Sequence, residues 1–398
     1  MNREDFEIFK NGLIYFDNAA TTQKPKSVID SMNEYYTKYN ANSHRGDYDI
    51  SLKVDEKYDG VREKVKDFIN AKDSKEIIFT KGSTESFNMV IFGFMANYLK
   101  PGDRVLLNKG EHASNLLPWL VLSKNLGIIL DYAELNDDYS LTIDKIKEKV
   151  TDRTKVIALA HITNAIGDVR PVKEIGELCK EKNILFVLDV TQSVGHMKLD
   201  VQDINVDFLG FSAHKMLGPT GVGVLYGKYD LLDKLVPMEY GGGMNVSFNS
   251  YGDYEIKTLP YRLEAGTPNI AGVIGLGAAI DYLESIGLDK IHQYECSLKH
   301  YLVEKMSSIP NIKIYNTKEE SGVLLFNVKG YFSQDVAIYL NKFNICVRAG
   351  NHCTKMLQEE IGDSNSCRVS LYFYNTKEEI DILIDALMHQ DKILDTVV

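Results

Sequence analysis

The stretch ILFVLDVTQSVGH, residues 184–196, decides the fold, because a continuous apolar run ends there in an aspartate and a turn. Two similar runs precede it, RVLLN at 104–108 and KVIALAHI at 155–162, and a helical pattern over 172–183 follows the second run. Strands that are apolar on both faces and connected by helices are typical of a mostly parallel sheet covered on both sides. The sequence therefore predicts an α/β fold.

Further patterns extend this sheet and add a second unit. After about residue 286 the alternation changes to strands interleaved with two helices, which predicts a smaller α+β domain. We expect a large domain over 12–283 and a small domain formed by 1–11 and 284–398, with no long linker. The other predicted elements are helices at 55–70, 84–99, 269–286, 333–343 and 376–396 and strands at 76–80, 208–212, 222–226, 313–316, 322–328, 345–350 and 367–374.

Composition narrows the class of protein. The 398 residues are 44% hydrophobic and 25% charged, with a net charge of −11, which argues against a general binder of nucleic acids or anionic membranes. The N-terminus MNREDFEIFKNG lacks the layout of a signal peptide, and no apolar run is long enough to span a bilayer. The five cysteines form no CxxC pair, which fits free thiols in a reducing compartment. We expect a cytoplasmic protein.

A first candidate site for binding a phosphate group lies in TKGSTESFN, residues 80–88, at a strand-to-helix junction. Gly82 permits a tight turn, and Ser83 and Thr84 offer hydroxyls and backbone amides to a phosphate. Taken alone, these residues are better explained by a plain helix cap, with Thr84 capping toward later acidic residues.

Two more candidates follow predicted strands. Asp189 ends the apolar run 184–190, and a carboxylate at the C-terminal end of a parallel strand faces the crevice where ligands bind. His112, in EHAS after the strand RVLLN, lies at the same edge and can stack on a planar ring. Taken singly, each also fits an ordinary turn acid or a satisfied histidine.

The run FSAHKMLGPTGVGVLYG, residues 211–227, places a lysine between a strand and a Gly/Pro turn. Ser212 and His214 can donate to a phosphate, while Lys215 can bind an aldehyde carbon as a Schiff base. Asp189 can keep a pyridinium nitrogen protonated. An acid, an amine and phosphate donors at the ends of strands of one sheet predict a pyridoxal 5'-phosphate site. Cys353, in VRAGNHCTKM, adds a nucleophilic thiol that most such enzymes do not need.

The chain resembles the cysteine desulfurases of the aminotransferase class V family, most closely the SufS/CsdA-type (group II) branch. The resemblance extends over about the whole chain. Its motifs are DNAATTQKP, NANSHRG, FTKGSTE, EHASNLLPW, HITNAIG, DVTQSVGH, FSAHKMLGPTGVGVLYG, RLEAGTPNIAG, VRAGNHC and RVSLYFYNTKEEID.

The resemblance implies a pyridoxal-phosphate-dependent transferase of fold type I, with a mostly parallel seven-stranded sheet and active sites at the interface of a homodimer. It implies that Lys215 binds the cofactor aldehyde, that Asp189 pairs with the ring nitrogen and that Cys353 carries a persulfide. It assigns the remaining roles as follows: Gln192 near the ring oxygen, His112 stacked on the ring and serving as a proton relay, Thr84, Ser212, His214 and the partner subunit's Thr267 on the phosphate, and Asn164 and Arg368, with Arg348 nearby, on the substrate.

The cysteine loop separates the two branches of these enzymes. Here RAGNHC runs almost directly into a predicted helix, TKMLQEE, and this compact loop is similar to the Suf-type enzymes. A short loop restrains the thiol, so we expect an acceptor protein to come to it. The loop departs from the commoner pattern at Asn351 and at 354–356. Gln334 replaces a histidine that some members working with a zinc-bearing acceptor carry, so the acceptor type, SufE-like or SufU-like, stays open.

The other cysteines are expected to be structural. We expect Cys179 and Cys346 to be small buried hydrophobes. Cys367 stands beside Arg368, whose charge can lower a thiol pKa, but a packed strand position is the stronger interpretation. We expect no metal site, because His352 and Cys353 lack a second ligand pair at suitable spacing.

The sequence therefore predicts conversion of L-cysteine to L-alanine, with a Cys353 persulfide passed to an acceptor in iron–sulfur cluster assembly. A selenocysteine lyase of the same family is the alternative enzyme. A non-catalytic sulfur-acceptor or scaffold protein is the alternative from another class, and the presence of both Lys215 and Cys353 argues against it.

Overall fold

A computed structural model describes residues 3–44 and 46–396. Met1, Asn2, Arg45, Val397 and Val398 lie outside the described residues; they include the arginine of the NANSHRG motif and the extreme ends of the predicted small domain.

Within these ranges seven strands form the main sheet, in the order β2-β8-β7-β6-β5-β3-β4. Neighbouring strands β7, β6, β5, β3 and β4 are parallel, while β8 is antiparallel to both β7 and β2. Six of the seven strands thus run in one direction, as the sequence predicts. The strands of this sheet are β2 (Ile77–Thr80), β3 (Arg104–Leu107), β4 (Ile129–Tyr132), β5 (Thr154–Ala160), β6 (Leu185–Asp189), β7 (Phe208–Ser212) and β8 (Gly223–Gly227).

A second sheet belongs to the C-terminal part of the chain. Its order is β11-β12-β15-β14, and the pairs are antiparallel. The short strand β1 pairs in parallel with β13 in a separate two-stranded sheet, and a bridge from Asp17 to Ser370 brings the N-terminal segment to β15. The remaining strands are β1 (Ile14–Tyr15), β9 (Asn245–Phe248), β10 (Tyr254–Ile256), β11 (Ile312–Ile314), β12 (Val323–Val328), β13 (Ile345–Cys346), β14 (Arg348–Gly350) and β15 (Ser366–Ser370).

Helices cover both sheets. The α-helices are α1 (Lys26–Lys38), α2 (Asp49–Phe68), α3 (Ser83–Asn88), α4 (Ala96–Tyr98), α5 (Leu117–Leu126), α6 (Ile143–Lys149), α7 (Val172–Lys182), α8 (Val201–Ile204), α9 (Tyr229–Leu232), α10 (Ile270–Ile286), α11 (Leu288–Ser307), α12 (Ser333–Asn341), α13 (Gln358–Ile361) and α14 (Lys377–Met388). Short 3₁₀ turns occur at Arg3–Asp5, Glu7–Asn11, Ser74–Glu76, Ala113–Asn115, Ala213–Lys215, Tyr261–Leu263, Lys355–Leu357, Gln390–Lys392 and Leu394–Thr396, and a π-helical segment occurs at Met89–Met95.

The sheet core is apolar on both faces. Every residue from Val156 to Leu159 in β5 and from Phe186 to Leu188 in β6 is fully buried. On one face α10 packs against α1 and α2. A Cβ at Gly277 of α10 would lie 2.6 Å from Val61 of α2, so this contact requires glycine. No single described helix is long and apolar enough to cross a membrane; only α10 and α11 together, bent by 74°, meet that length and composition.

Several predicted boundaries are wrong. The helix expected over 376–396 ends at Met388, where His389 leaves the helical conformation, with φ −103° and ψ 39°. The helix expected over 84–99 contains the π-helical segment between α3 and α4. The strand expected over 345–350 divides into β13 and β14, which pair with different partners. Strand β15 ends at Ser370 rather than at 374.

The strand directions bring the predicted site residues together. Because β2, β3, β5, β6 and β7 run the same way, the loops that follow them lie along one edge of the sheet. Those loops carry Ser83, His112, Asn164 and Lys215, while Asp189 is the last residue of β6. Ligands of open α/β sheets bind at this edge.

Candidate active site

A cavity of about 210 Å³ lies at this edge of the main sheet. All of the predicted site residues line it except Cys353, Arg368 and Thr267. The lining side chains that the sequence predicts are Ser83, Thr84, His112, Asn164, Asp189, Gln192, Ser212, His214, Lys215 and Arg348. The cavity also contacts Ala19, Ala20, Ser114, Ala160, Ile162 and Thr191.

Asp189 is a buried carboxylate at the base of this cavity. The Thr191 backbone N–H donates to its Oδ1 at 2.9 Å. Burial raises the pKa of Asp189, while hydrogen bonds from Thr191 and the charge of Lys215 act in the opposite direction. A cation placed against this carboxylate would compensate its desolvation, and a protonated pyridine nitrogen is such a cation. Asp189 therefore fits pyridoxal phosphate.

Lys215 ends a single 3₁₀ turn directly after β7, and its amine is enclosed in the cavity. Burial lowers the pKa of Lys215 to about 8, and the positive charges of Arg368 and Arg348 contribute in the same direction. An amine with such a pKa is partly uncharged near neutrality, as attack on an aldehyde carbon requires. This is the state that the role predicted for Lys215 needs.

Hydroxyl groups from two strand ends meet at one side of the cavity. The Ser83 backbone N–H donates to Ser212 Oγ at 2.8 Å, and Ser212 Oγ donates to Ser83 Oγ at 3.0 Å. Thr84 Oγ1 and Ser114 Oγ are 2.7 Å apart. Gly82 begins the turn with φ 154°, and a Cβ there would lie 3.2 Å from Ser212 Oγ. This crowded glycine turn with its hydroxyls has the donors that a phosphate group needs.

His112 is held in one orientation and is neutral near pH 7. The Ser114 backbone N–H donates to His112 Nδ1 at 3.1 Å, so the ring proton lies on Nε2. Burial lowers the pKa of His112 to about 4, and the positive charge of Lys215 adds to this effect. A neutral, fixed imidazole at the cavity wall is suited to stacking on an aromatic ring.

Cys353 lies in a tight turn beside the cavity. The Thr354 N–H donates to Asn351 O at 2.8 Å, and the two central residues, His352 and Cys353, have φ 51° and 60°. Positive φ at both central positions is the pattern of a type I′ turn, which is unfavourable for residues other than glycine, asparagine and aspartate. Each such residue costs about 1–2 kcal/mol.

Three contacts hold this strained turn against the cavity. The Ala113 N–H donates to Cys353 O at 2.9 Å, and Asn164 Nδ2 donates to His352 O at 2.7 Å. Arg348, which lines the cavity, donates from Nη2 to the Cys353 sulfur at 3.5 Å. The Cys353 side chain itself is exposed. The thiol thus lies at the mouth of the cavity with a guanidinium beside it.

Arg368 is fully buried on β15, and its guanidinium is already engaged. Nη2 donates to Asp17 Oδ1 at 2.7 Å, and Nη1 donates to Asn164 O at 2.8 Å. Nε is buried and has no hydrogen-bond partner among the described residues. Asp17 was not singled out from the sequence, although it begins the DNAATT motif. Neither Asp17 nor Arg368 lines the cavity. Arg368 is connected to the cavity through its hydrogen bond to Asn164, which does line it.

Thr267 does not join the cavity of its own chain. Its side chain is exposed, and Asn42 Nδ2 donates to its Oγ1 at 3.4 Å. It lines a different cavity of about 330 Å³, together with Glu264 and Asn269.

Sequence reasoning also missed a buried ion pair beneath the site. Glu111 and Arg170 are fully buried and bond to each other, and Arg170 also donates to Asn108 Oδ1 at 3.0 Å. Burial raises the pKa of Glu111, and the charge of Arg170 opposes that rise. Glu111 immediately precedes His112, so this pair anchors the loop that carries the imidazole. Its signal in the sequence was the glutamate directly before the predicted site histidine.

The remaining cysteines differ from Cys353 in their surroundings. Cys179 and Cys367 are buried, and burial raises the pKa of both thiols. Arg368 does not lower the pKa of Cys367, so the expectation of a packed strand residue is the correct one. Cys346 is only partly buried, which departs from the expected full burial, and its pKa is also raised.

Comparison with known proteins identifies the family. The aminotransferase class V family model matches residues 14–383. A probable cysteine desulfurase of Halalkalibacterium halodurans is 41% identical over 383 residues, covering 96% of this chain and 94% of the relative. A probable cysteine desulfurase of Synechocystis sp. is 40% identical over 394 residues, covering 97% and 94%.

Solved structures agree. The apo structure of a cysteine desulfurase from Thermococcus onnurineus has a TM-score of 0.94 at 38% identity, covering 98% of this chain and 97% of the other. The cysteine desulfurase CsdA of Escherichia coli has a TM-score of 0.91 at 32% identity, covering 99% and 97%. The chain belongs to the aminotransferase class V family and, within it, to the cysteine desulfurases. This confirms the predicted resemblance, fold class and enzyme class, and with them pyridoxal phosphate as the cofactor.

Proposed function

We propose that the enzyme converts L-cysteine to L-alanine and retains the sulfur as a persulfide on Cys353. One observation carries this proposal: Arg348 lines the Lys215 cavity and also donates to the Cys353 sulfur at 3.5 Å. An amine suited to proton removal thus lines the cavity, and a thiol suited to sulfur attack lies beside it, against Arg348 of the cavity wall. Transamination alone would not need the thiol.

Pyridoxal phosphate, when bound, supplies an electron sink for the carbon next to the substrate amine. Different residues of the cavity would hold different parts of the cofactor. Asp189 would pair with the ring nitrogen, His112 would stack on the ring, Gln192 would lie near the ring oxygen, Lys215 would bind the aldehyde, and Ser83, Thr84, Ser212 and His214 would donate to the phosphate.

The substrate carboxylate would lie between Arg348 and Asn164, close to Arg368. A guanidinium binds a carboxylate through two parallel hydrogen bonds, which fixes the amino acid in one orientation. Arg348 donates only to a thiol among the described residues, so it has donors left for this purpose. Asp17 and Asn164 hold Arg368, which would then contribute charge and its remaining Nε–H.

Lys215 and Cys353 would carry out different steps of the reaction. Lys215 would remove the α-proton of cysteine and later return a proton to carbon. The Cys353 thiolate would attack the substrate sulfur. As the S–S bond forms, the C–S bond breaks, and its electron pair stays with the carbon fragment. That fragment gains a proton and leaves as L-alanine, while Cys353 keeps the extra sulfur.

The surroundings of Cys353 determine how the persulfide sulfur can be transferred to an acceptor. The strained turn is bonded to Asn164 and Ala113, so the thiol has little reach, and a sulfur acceptor would have to approach the exposed side chain. We propose a SufE-like or SufU-like acceptor protein in iron–sulfur cluster assembly, in the cytoplasm.

We also propose a homodimer. Thr267 is exposed and apart from the Lys215 cavity of its own chain, as expected of a residue that completes the phosphate site of the partner subunit. The proposed domain division, 12–283 against 1–11 with 284–398, places the Cys353 turn on the small domain and Lys215 on the large one.

Alanine and sulfide release from L-cysteine, with and without candidate acceptors, tests the function. Cys353→Ser should lose both products and still bind cofactor, because a serine hydroxyl is hardly ionised near pH 7. Cys296→Ser, at a partly buried thiol on α11, is the matched control and should keep full activity. Mass spectrometry after brief exposure to cysteine should find one added sulfur on Cys353.

Two results would contradict this proposal: undiminished turnover in Cys353→Ser, or a persulfide on Cys346 or Cys367. Running the same assay with selenocysteine separates the alternative. A selenocysteine lyase would turn over selenocysteine in preference to cysteine.

A further inference from the structure

Among the described residues, the amine of Lys24 bonds only to backbone and hydroxyl oxygens. It lies between β1 and α1 and is partly buried. Nζ donates to His214 O at 2.9 Å and also bonds to Thr22 O. Burial lowers the pKa of Lys24 to about 7, and no carboxylate among the described residues opposes this shift.

Such a position is costly for an amine. An ammonium taken from water without an acidic partner loses solvation that hydrogen bonds to carbonyls restore only in part. An apolar side chain of similar length would pack there at lower cost. The amine at Lys24 is therefore better explained by what it binds than by packing.

What it binds is the carbonyl that immediately precedes Lys215. His214 O accepts from the Thr22 N–H at 3.0 Å, from Thr21 Oγ1 at 3.1 Å, from Thr22 Oγ1 at 3.1 Å and from Lys24 Nζ. A carbonyl oxygen has two lone pairs, so these donors share it. The peptide that joins His214 to Lys215 is thereby fixed on one side by the segment 21–24.

The same segment fixes the backbone beyond Lys215. The Leu217 N–H donates to Thr22 Oγ1 at 2.9 Å, so Thr22 bonds to the chain on both sides of the lysine. Leu217 has φ 66°, a left-handed conformation that an L-residue with a bulky side chain adopts only when its surroundings impose it. The turn that carries Lys215 therefore depends on contacts from a distant part of the chain.

We propose that Lys24 is a positioning residue for Lys215, which it orients by holding the His214 carbonyl. Thr22 contributes to the same positioning, because its hydroxyl bonds to His214 O and to the Leu217 N–H. The inference rests on the proposed function only in that Lys215 binds the cofactor aldehyde. It concerns the turn that carries Lys215 at the aldehyde end of the site. Of the proposed phosphate donors only His214 lies in that turn, whereas Ser83 and Ser212 bond to each other outside it.

Binding to the apoenzyme of two aldehydes, pyridoxal 5'-phosphate and pyridoxal, tests this inference. Lys24→Met should weaken both, each about tenfold or more, because a misplaced Lys215 amine affects both aldehydes. Ser212→Ala should weaken the phosphorylated compound far more than pyridoxal. Lys24→Arg, which keeps a donor, should restore much of the affinity.

Two further variants complete the design. Lys26→Met removes an exposed lysine, paired with Asp30 at 2.5 Å, and should change neither affinity. Thr22→Val keeps Lys24 but removes the hydroxyl between His214 O and the Leu217 N–H, and should reproduce the loss even where Lys24→Met does not fold.

The inference is overturned if Lys24→Met and Thr22→Val bind both aldehydes like the wild type. It is also overturned if they lose affinity for the phosphorylated compound alone, since Lys24 would then act on the phosphate. A wild type in which borohydride fixes the cofactor to a lysine other than Lys215 would instead contradict the proposed function.

Discussion

Lys299 makes the stability of this protein depend on pH in a way that can be calculated. It lies on α11 with none of its surface exposed, and its Nζ donates to Val323 O on β12. Burial lowers the pKa of Lys299 from 10.5 to about 7, against weaker opposing effects of Cys296 and Glu319. In the unfolded chain the same amine regains an ordinary lysine pKa near 10.4.

The sign follows from proton binding. Between about pH 7 and pH 10 the unfolded chain holds a proton on Lys299 that the folded chain has mostly lost. The free energy of unfolding contributed by this residue therefore rises with pH. A shift from 10.5 to about 7 corresponds to roughly 4–5 kcal/mol of destabilisation below pH 7 at 1.36 kcal/mol per unit.

Lys299→Met removes this dependence. The variant should be more stable than the wild type at pH 7.5, and the difference should shrink by roughly 2 kcal/mol by pH 9. Loss of the hydrogen bond to Val323 O adds a constant cost of about 1 kcal/mol, which does not change with pH. Contributions of groups that do not interact with Lys299 cancel when the two proteins are compared at the same pH.

Guanidinium unfolding of both apoproteins at several values from pH 7.5 to 9 measures the difference. Lys290→Met, at an exposed position of the same helix, is the control and should follow the wild type. A difference between Lys299→Met and the wild type that stays constant with pH, or that grows as pH rises, would show that Lys299 keeps an ordinary pKa in the folded protein.

Three further outcomes are expected. Asp189→Asn should lower alanine formation at least a hundredfold and weaken cofactor binding in absorbance titrations, because an amide cannot hold the proton on the ring nitrogen; equal activity would remove Asp189 from the site. Gly82→Ala should weaken pyridoxal phosphate more than pyridoxal, since the new Cβ lies 3.2 Å from Ser212 Oγ; equal losses would place the phosphate elsewhere. In the apoenzyme, acylation of Lys215 followed by peptide mapping should rise with pH around a midpoint near 8, set by burial; a midpoint near 10.5 would mean that the amine is solvated.

The sheet was predictable because its strands are buried on both faces and read as unbroken apolar runs. The seventh strand, β4, was not, because it lies at the sheet edge and none of its residues is buried. Its Asp131 bonds to Arg104 Nη1 at 2.6 Å, a polar contact that interrupts the apolar pattern. The predicted helix ends were wrong where no sequence signal marks the end of the helix, as at Met388.

The residues that line the cavity were predictable, since a polar residue follows the end of each strand that contributes to it. The connections between them were not. Asp17 reaches Arg368 across 351 positions of sequence, and Lys24 reaches His214 across 190. Such contacts depend on how the N-terminal segment folds back over the sheet edge, which no local pattern reports. Thr267 stays a prediction, because its proposed partner lies in another subunit.

Asn164 bonds both to the turn that carries Cys353 and to Arg368, the proposed substrate-binding residue. Its side chain donates to His352 O in the strained turn, and its carbonyl accepts from Arg368. A substrate carboxylate that binds near these residues would therefore contact the same network that holds Cys353 in place. Because the turn is unfavourable without its bonds, a change at Asn164 would alter the position of the thiol as well as the binding of the amino acid. In the proposed mechanism, substrate binding and sulfur attack would thus be coupled through one amide, and a short cysteine loop would serve this site without a long mobile arm.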